Sequence, residues 1–135
     1  MSELLVMERL WRVYVPNLET RVQRAMDVAR CDASVVLTDD RTIRRLNFRD
    51  RGKNKPTNVL TYESPAEILL GFGTVWREAR TGGRSVAAHM AHLLVHGALH
   101  IAGYEHDHVG DARRMEAREA WLLARVGVKN PWKTG

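Results

Sequence analysis

The sequence predicts one α+β domain, on three observations. Its 135 residues suit one domain with an ordinary core. Hydrophobic residues make up 44% of it, which is usual for a globular chain and too many for a disordered one. Strand-like and helix-like stretches alternate unevenly, with no repeat, linker or low-complexity segment between them.

The elements follow in order. Arg12 to Val15 reads as a short first strand, stopped by Pro16. Asn17 is placed to cap a helix to about Arg30, with Leu18, Val22, Ala25, Met26 and Ala29 on one face. Ala33 to Leu37 is a β-branched strand. Thr38, Asp39 and Asp40 offer caps for a basic helix from Arg41 to about Phe48, and Arg51 to Pro56 reads as a loop. Thr57 to Tyr62 and Glu67 to Leu70 read as strands around a turn at Ser64-Pro65. Thr74 to Arg80 is a short helix ended by Gly82-Gly83. Ser85 caps a helix from Val86 to Ala102, after which Gly103 suits a left-handed residue. Asp111 to Val126 is the last helix, and Pro131 begins a loose tail.

Several classes drop out. No apolar stretch approaches a membrane span, and Met1 to Leu10 lacks the core of a signal peptide, so a cytoplasmic location is expected. The one cysteine, Cys31, is expected to be a buried small residue rather than a nucleophile. The net charge of +5 weakly favours a polyanionic partner. Its distribution says more. Between Arg41 and Lys55 stand seven basic residues (Arg41, Arg44, Arg45, Arg49, Arg51, Lys53, Lys55) and one acid, Asp50. Two readings remain open on charge alone: a solvated helix face running into a loop, or a strip that contacts phosphates.

All six histidines lie between His89 and His108. His96 and His100 are four apart on a helix, so their imidazoles share one face and reach one ion. Gly103 lets the chain turn back, and His106 is then placed to add a third nitrogen. Three imidazoles leave one position open on a tetrahedral zinc ion, the catalytic pattern rather than the structural one. Zinc is the first choice; nickel, cobalt and copper suit the same nitrogens. His92, four before His96, forms a competing pair, and His108 competes with His106; His89 and His92 are otherwise read as packing or supporting residues. The spacing also matches the metzincin motif, but the general-base glutamate of that motif would stand at Gly97.

His96-Gly-Ala-Leu-His100-Ile-Ala-Gly-Tyr-Glu-His106 resembles the H-G-x-L-H-x-x-G-Y-D-H signature of the YbeY family, bacterial endoribonucleases of ribosomal RNA maturation. Leu46-Asn47 with Arg51-Gly-Lys-Asn-Lys-Pro-Thr-Asn-Val-Leu-Thr61 resembles the family's L-N and R-G-K-D-x-P-T-N-V-L-S, and Met115 with Glu119 resembles its closing M-x-x-x-E. The resemblance spans roughly residues 46 to 120. It implies a mixed sheet of about four strands packed with about five helices, and zinc on His96, His100 and His106. It implies cleavage of single-stranded RNA in maturing the 3′ end of small-subunit ribosomal RNA and in ribosome quality control. Ribosomal RNA and the small subunit or one of its proteins are the implied partners. Arg51 is then expected to bind phosphate or the transition state. Glu105 and Glu67 stand where the family has aspartate, and the segment from Ser64 to Glu67 is short for the family.

The mechanism expected is metal-assisted phosphodiester cleavage. Arg51 stabilises charge on the phosphoryl oxygens. Arg41, Arg44, Arg45, Arg49, Lys53 and Lys55 align the RNA backbone. Glu105 is the candidate base, or else a carboxylate that orients an imidazole. Tyr62 and Trp76 are candidates to stack a base and are read first as core residues. Two other functions compete: a non-catalytic assembly factor that binds ribosomal RNA around a structural metal, and a metallopeptidase, which Gly97 disfavours.

Overall fold

The computed structural model describes residues 3–104 and 109–131. In chain order the elements are β1 (Leu4–Val6), α1 (Leu10–Tyr14), α2 (Leu18–Val28), β2 (Ser34–Thr38), α3 (Asp40–Arg51), β3 (Val59–Glu63), β4 (Ala66–Gly71), α4 (Phe72–Thr81), α5 (Val86–Ile101) and α6 (Val109–Arg125). The four strands form one mixed sheet in the order β1-β2-β4-β3. β1 and β4 both run parallel to β2, while β3 and β4 form an antiparallel hairpin with Glu63 opposite Ala66.

Side chains leave this sheet alternately, as strand pleating requires. Val35, Leu37, Ile68 and Leu70 join the main core with Trp11, Met26, Met90, Leu94 and Leu123. Leu60 and Leu69 point to the other face, where Ile43 of α3 covers them. So α3 lies on one face, and α2, α5 and α6 lie on the other. Twelve of the sixteen residues of α5 are buried, which makes it the central helix.

The first element departs from expectation. Residues 12 to 14 are helical, and the first strand lies earlier, at Leu4–Val6. Burial gives the reason. Trp11 and Val15, four apart, are both inside, whereas Val13 is 64% exposed. A strand would put all three on one side; a helix separates Val13 from the other two. Trp11 anchors the turn by donating its indole Nε1–H to the Thr38 carbonyl at 3.0 Å.

Caps show where local chemistry decided. Asp39 accepts from the Thr42 amide at 2.8 Å, and Ser85 accepts from the Ala88 amide at 3.0 Å. Asn17 does not cap α2 as expected: it is left-handed, at φ 54°, and its side chain makes no cap bond. Helix α3 runs on through Arg51 instead of stopping near Phe48, and ends at Gly52 with φ 70°. Helix α4 starts earlier than expected, with its Thr74 amide donating to Asp40 Oδ1 at 2.9 Å, a cap supplied from α3. Cys31 is half-buried against the main core rather than fully inside it.

Candidate metal centre and basic strip

Helix α5 carries a stripe of histidines. His89, His92, His96 and His100 follow at intervals of three, four and four, so they share one face. Successive ring centroids lie 5.9, 6.3 and 4.6 Å apart. His89 and His92 are buried; His96 and His100 are half-buried. The stripe therefore runs from a closed end to an open one.

Carboxylates from neighbouring helices meet this stripe. Glu78 of α4 accepts from His89 Nε2 at 2.8 Å, and Asn58 Nδ2 donates to the same Glu78 oxygen at 3.0 Å. Burial pushes the His89 pKa below its usual value, against the pull of Glu78. Glu119 of α6 is 0% exposed and takes both neighbours: His92 Nε2 at 3.1 Å on one oxygen, and His96 Nδ1 in a short bond on the other. Burial by itself raises the Glu119 pKa, but the bonds from His92 and His96 outweigh it and bring the pKa to about 2. Glu119 is thus a buried carboxylate.

His92, His96 and Glu119 together are placed to hold a metal ion, with donor atoms within 4.8 Å of one another. A second convergence lies at the open end, where His96 Nε2 and His100 Nε2 face each other at 3.0 Å. Two lone pairs at that distance repel unless a proton or a cation lies between them. Two nitrogens at about 2.0–2.1 Å from a tetrahedral ion stand roughly 3.4 Å apart, so this pair suits a divalent cation. The carboxylate behind His96 adds the outer partner that metal-bound imidazoles commonly have.

The chain leaves α5 in the manner its sequence asks for. Gly103, at φ 101°, donates to the His100 carbonyl and Tyr104 to the Leu99 carbonyl, both at 3.0 Å. These two bonds form a Schellman motif. His106, His108 and Glu105 lie outside the described residues.

Gly97 has a packing reason. A Cβ there would stand 3.0 Å from Thr61 Cγ2 and 3.2 Å from Ile68 Cγ2, so α5 rests directly on β3 and β4 between its two open histidines. A glutamate has no room at this position. Gly97→Ala is expected to lose about 1–3 kcal/mol of stability through overpacking, against a helix-propensity gain of at most about 1 kcal/mol. Urea unfolding measures the difference; stability equal to the parent's shows that the two strands give way.

The same Thr61 ties Arg51 to the site. Arg51, the last residue of α3, donates from Nη2 to the Thr61 carbonyl at 2.8 Å, with its guanidinium 5.0 Å from the Tyr62 ring centre. Tyr62 in turn donates its hydroxyl to Asp50 at 2.5 Å. Arg41, Arg44, Arg45, Arg49, Lys53 and Lys55 are all exposed along α3 and the loop after it. They are not equivalent. Arg49 is forked onto Asp50 at 2.7 and 2.9 Å, and this bond first, with that of Tyr62, holds the Asp50 pKa at about 2. Arg44 donates to Asn54 at 2.9 Å. Buried Asn47 donates to the Lys55 carbonyl at 2.9 Å and pins the loop to α3. Trp76 packs against the main core and Tyr62 against the smaller one, both half-buried.

Sequence reasoning gave no role to Glu119 or Arg84. Glu119 had a signal: with Met115, Leu122 and Leu123 it falls on the core face of α6, a charge in an apolar stripe. Arg84 had none, since it precedes α5 in a turn and reaches the histidines only by folding back.

The family model described as Endoribonuclease YbeY matches residues 6–127. Endoribonuclease YbeY of Gluconobacter oxydans (strain 621H) is 44% identical over 149 aligned residues, covering 99% of this chain and 89% of that protein. Endoribonuclease YbeY of Bradyrhizobium diazoefficiens is 36% identical, covering 98% of this chain and 85% of that one. The solution structure of TM1509 from Thermotoga maritima matches with a TM-score of 0.68 at 23% identity, covering 93% of this chain and 89% of that one; this likeness concerns the fold alone. The matches run nearly end to end and take in the histidine helix and the segment of Arg51, so the chain belongs to the YbeY endoribonuclease family.

Proposed function

We propose that this chain, over residues 1–135 as one domain, is a metal-dependent endoribonuclease that cuts single-stranded RNA. Its place is the cytoplasm, where it matures the 3′ end of small-subunit ribosomal RNA and serves ribosome quality control, in contact with the small subunit or one of its proteins. The observation that carries this reading is the approach of His96 Nε2 to His100 Nε2 at 3.0 Å, at the half-buried end of the stripe.

In this reading His96, His100 and His106 hold the ion, with zinc the first choice. The trio of His92, His96 and Glu119 is less suited to catalysis, because two of its three members, His92 and Glu119, are buried away from solvent. A bound zinc ion supplies Lewis acidity toward a phosphoryl oxygen. The chain's own groups do the rest. Arg51 presents its remaining N–H groups to the phosphoryl oxygens. The exposed bases Arg41, Arg44, Arg45, Lys53 and Lys55 draw the backbone along α3, while Arg49 contributes less because Asp50 already neutralises it. Glu105 is the proposed base.

Elemental analysis of the purified protein, beside a single-stranded RNA cleavage assay with and without chelator, tests the reading. About one zinc per chain and cleavage that a chelator stops and zinc restores are expected. Unchanged cleavage in fully chelated protein overturns it, and metal binding without cleavage favours an assembly factor instead.

A further inference from the structure

The histidine stripe contains a hydrogen-bond chain with a fixed direction. Arg84 Nη1 lies 3.4 Å from both His89 Nδ1 and His92 Nδ1. A guanidinium only donates, so both of those nitrogens are acceptors. A neutral imidazole that accepts at Nδ1 carries its proton on Nε2. His92 therefore donates from Nε2 to Glu119 Oε2, at 3.1 Å. Glu119 as a carboxylate only accepts, so His96 donates to it from Nδ1. His96 Nε2 therefore carries no proton and faces His100 as an acceptor.

We propose that Arg84 and Glu119 are positioning residues that together set the tautomer of His96, so that its Nε2 offers a lone pair at the open end of the stripe. The proposal rests on the reading above only in taking that lone pair as a metal ligand. Its consequence is specific. Glutamine at 119 has one accepting oxygen and one donating NH2 in the place of two acceptors. Arg84 requires His92 to keep its proton on Nε2, so the glutamine oxygen must turn to His92. Its NH2 then faces His96 Nδ1, and the His96 proton moves to Nε2, where it blocks a metal. Removing Arg84 as well frees His92 to take the opposite tautomer, the amide can turn around, and His96 recovers.

Imidazole nitrogen shifts measured by NMR at about pH 8, above the usual histidine pKa of about 6.5, read this directly in metal-free protein. The parent is expected to show His92 protonated on Nε2 and His96 on Nδ1. Either ring in the other tautomer overturns the proposal without any variant. Glu119→Gln is expected to move the His96 proton to Nε2 and to weaken cobalt binding, titrated against a competing chelator, by about 10–100-fold. The double variant Arg84→Met with Glu119→Gln is expected to bind cobalt at least about threefold more tightly than Glu119→Gln alone. A double variant no tighter than Glu119→Gln removes Arg84 from the account. Cobalt binding within threefold of the parent in Glu119→Gln, with His96 still unprotonated at Nε2, refutes the role of Glu119. A parent that binds no cobalt, or a His96→Ala variant that binds it fully, defeats the metal reading instead and leaves the tautomer result standing by itself.

Discussion

Replacing His96 and His100 together by alanine is expected to remove both the bound metal and the RNA cleavage. The pair supplies two of the three proposed ligands, so the loss of affinity should exceed the roughly 10–100-fold that loss of an outer partner costs. His96 also occupies one oxygen of buried Glu119, and its removal leaves that oxygen less satisfied, at about 1–3 kcal/mol of stability. Thermal unfolding followed by circular dichroism separates this cost from the functional one, and His100→Ala alone tests the ligand claim with Glu119 undisturbed. Metal content and cleavage measured together decide the matter: a metal-free double variant that cuts RNA at the parent rate refutes the scheme.

Arg51→Ala is expected to lower kcat by about 10²–10³ while changing KM only a few-fold, because charge on the phosphoryl oxygens grows in the transition state. Arg51→Lys should recover little, since an ammonium cannot hold the Thr61 carbonyl and two phosphoryl oxygens with a flat fork. Structural damage should be small, as Arg51 is exposed and the carbonyl it leaves is on an edge strand. Steady-state kinetics on a single-stranded substrate give the split. A loss confined to KM makes Arg51 a binding residue of the strip and nothing more.

Much of the fold was legible because it depends on local contacts. The boundaries of α5 came from Ser85 and Gly103, both acting within one turn of the helix they bound. The hairpin at Ser64-Pro65 and the strand after it lay within about one residue of expectation. The misreading at Arg12 to Val15 has a physical source. Its residues have strand propensity, but Trp11 and Val15 find the core from adjacent turns of a helix, and packing overrode propensity. The early start of α4 was hidden for a similar reason, since its cap is Asp40, 34 residues away in sequence.

The same division runs through the site. Sequence by itself determined that His96 and His100 share a helix face, through their spacing along one helix, and that the helix ends at Gly103, through its left-handed preference; that Arg51 closes α3 instead of lying in a loop was decided by the structure. Only the tertiary structure decided which nitrogen of each imidazole faces which partner. Glu119 stands 23 residues from His96 and meets it because α6 packs on α5. The tertiary structure also showed the close approach of α5 to the sheet that favours glycine at position 97. Local periodicity fixes direction around a helix axis, but the atom at the end of a side chain is set by what another element brings against it.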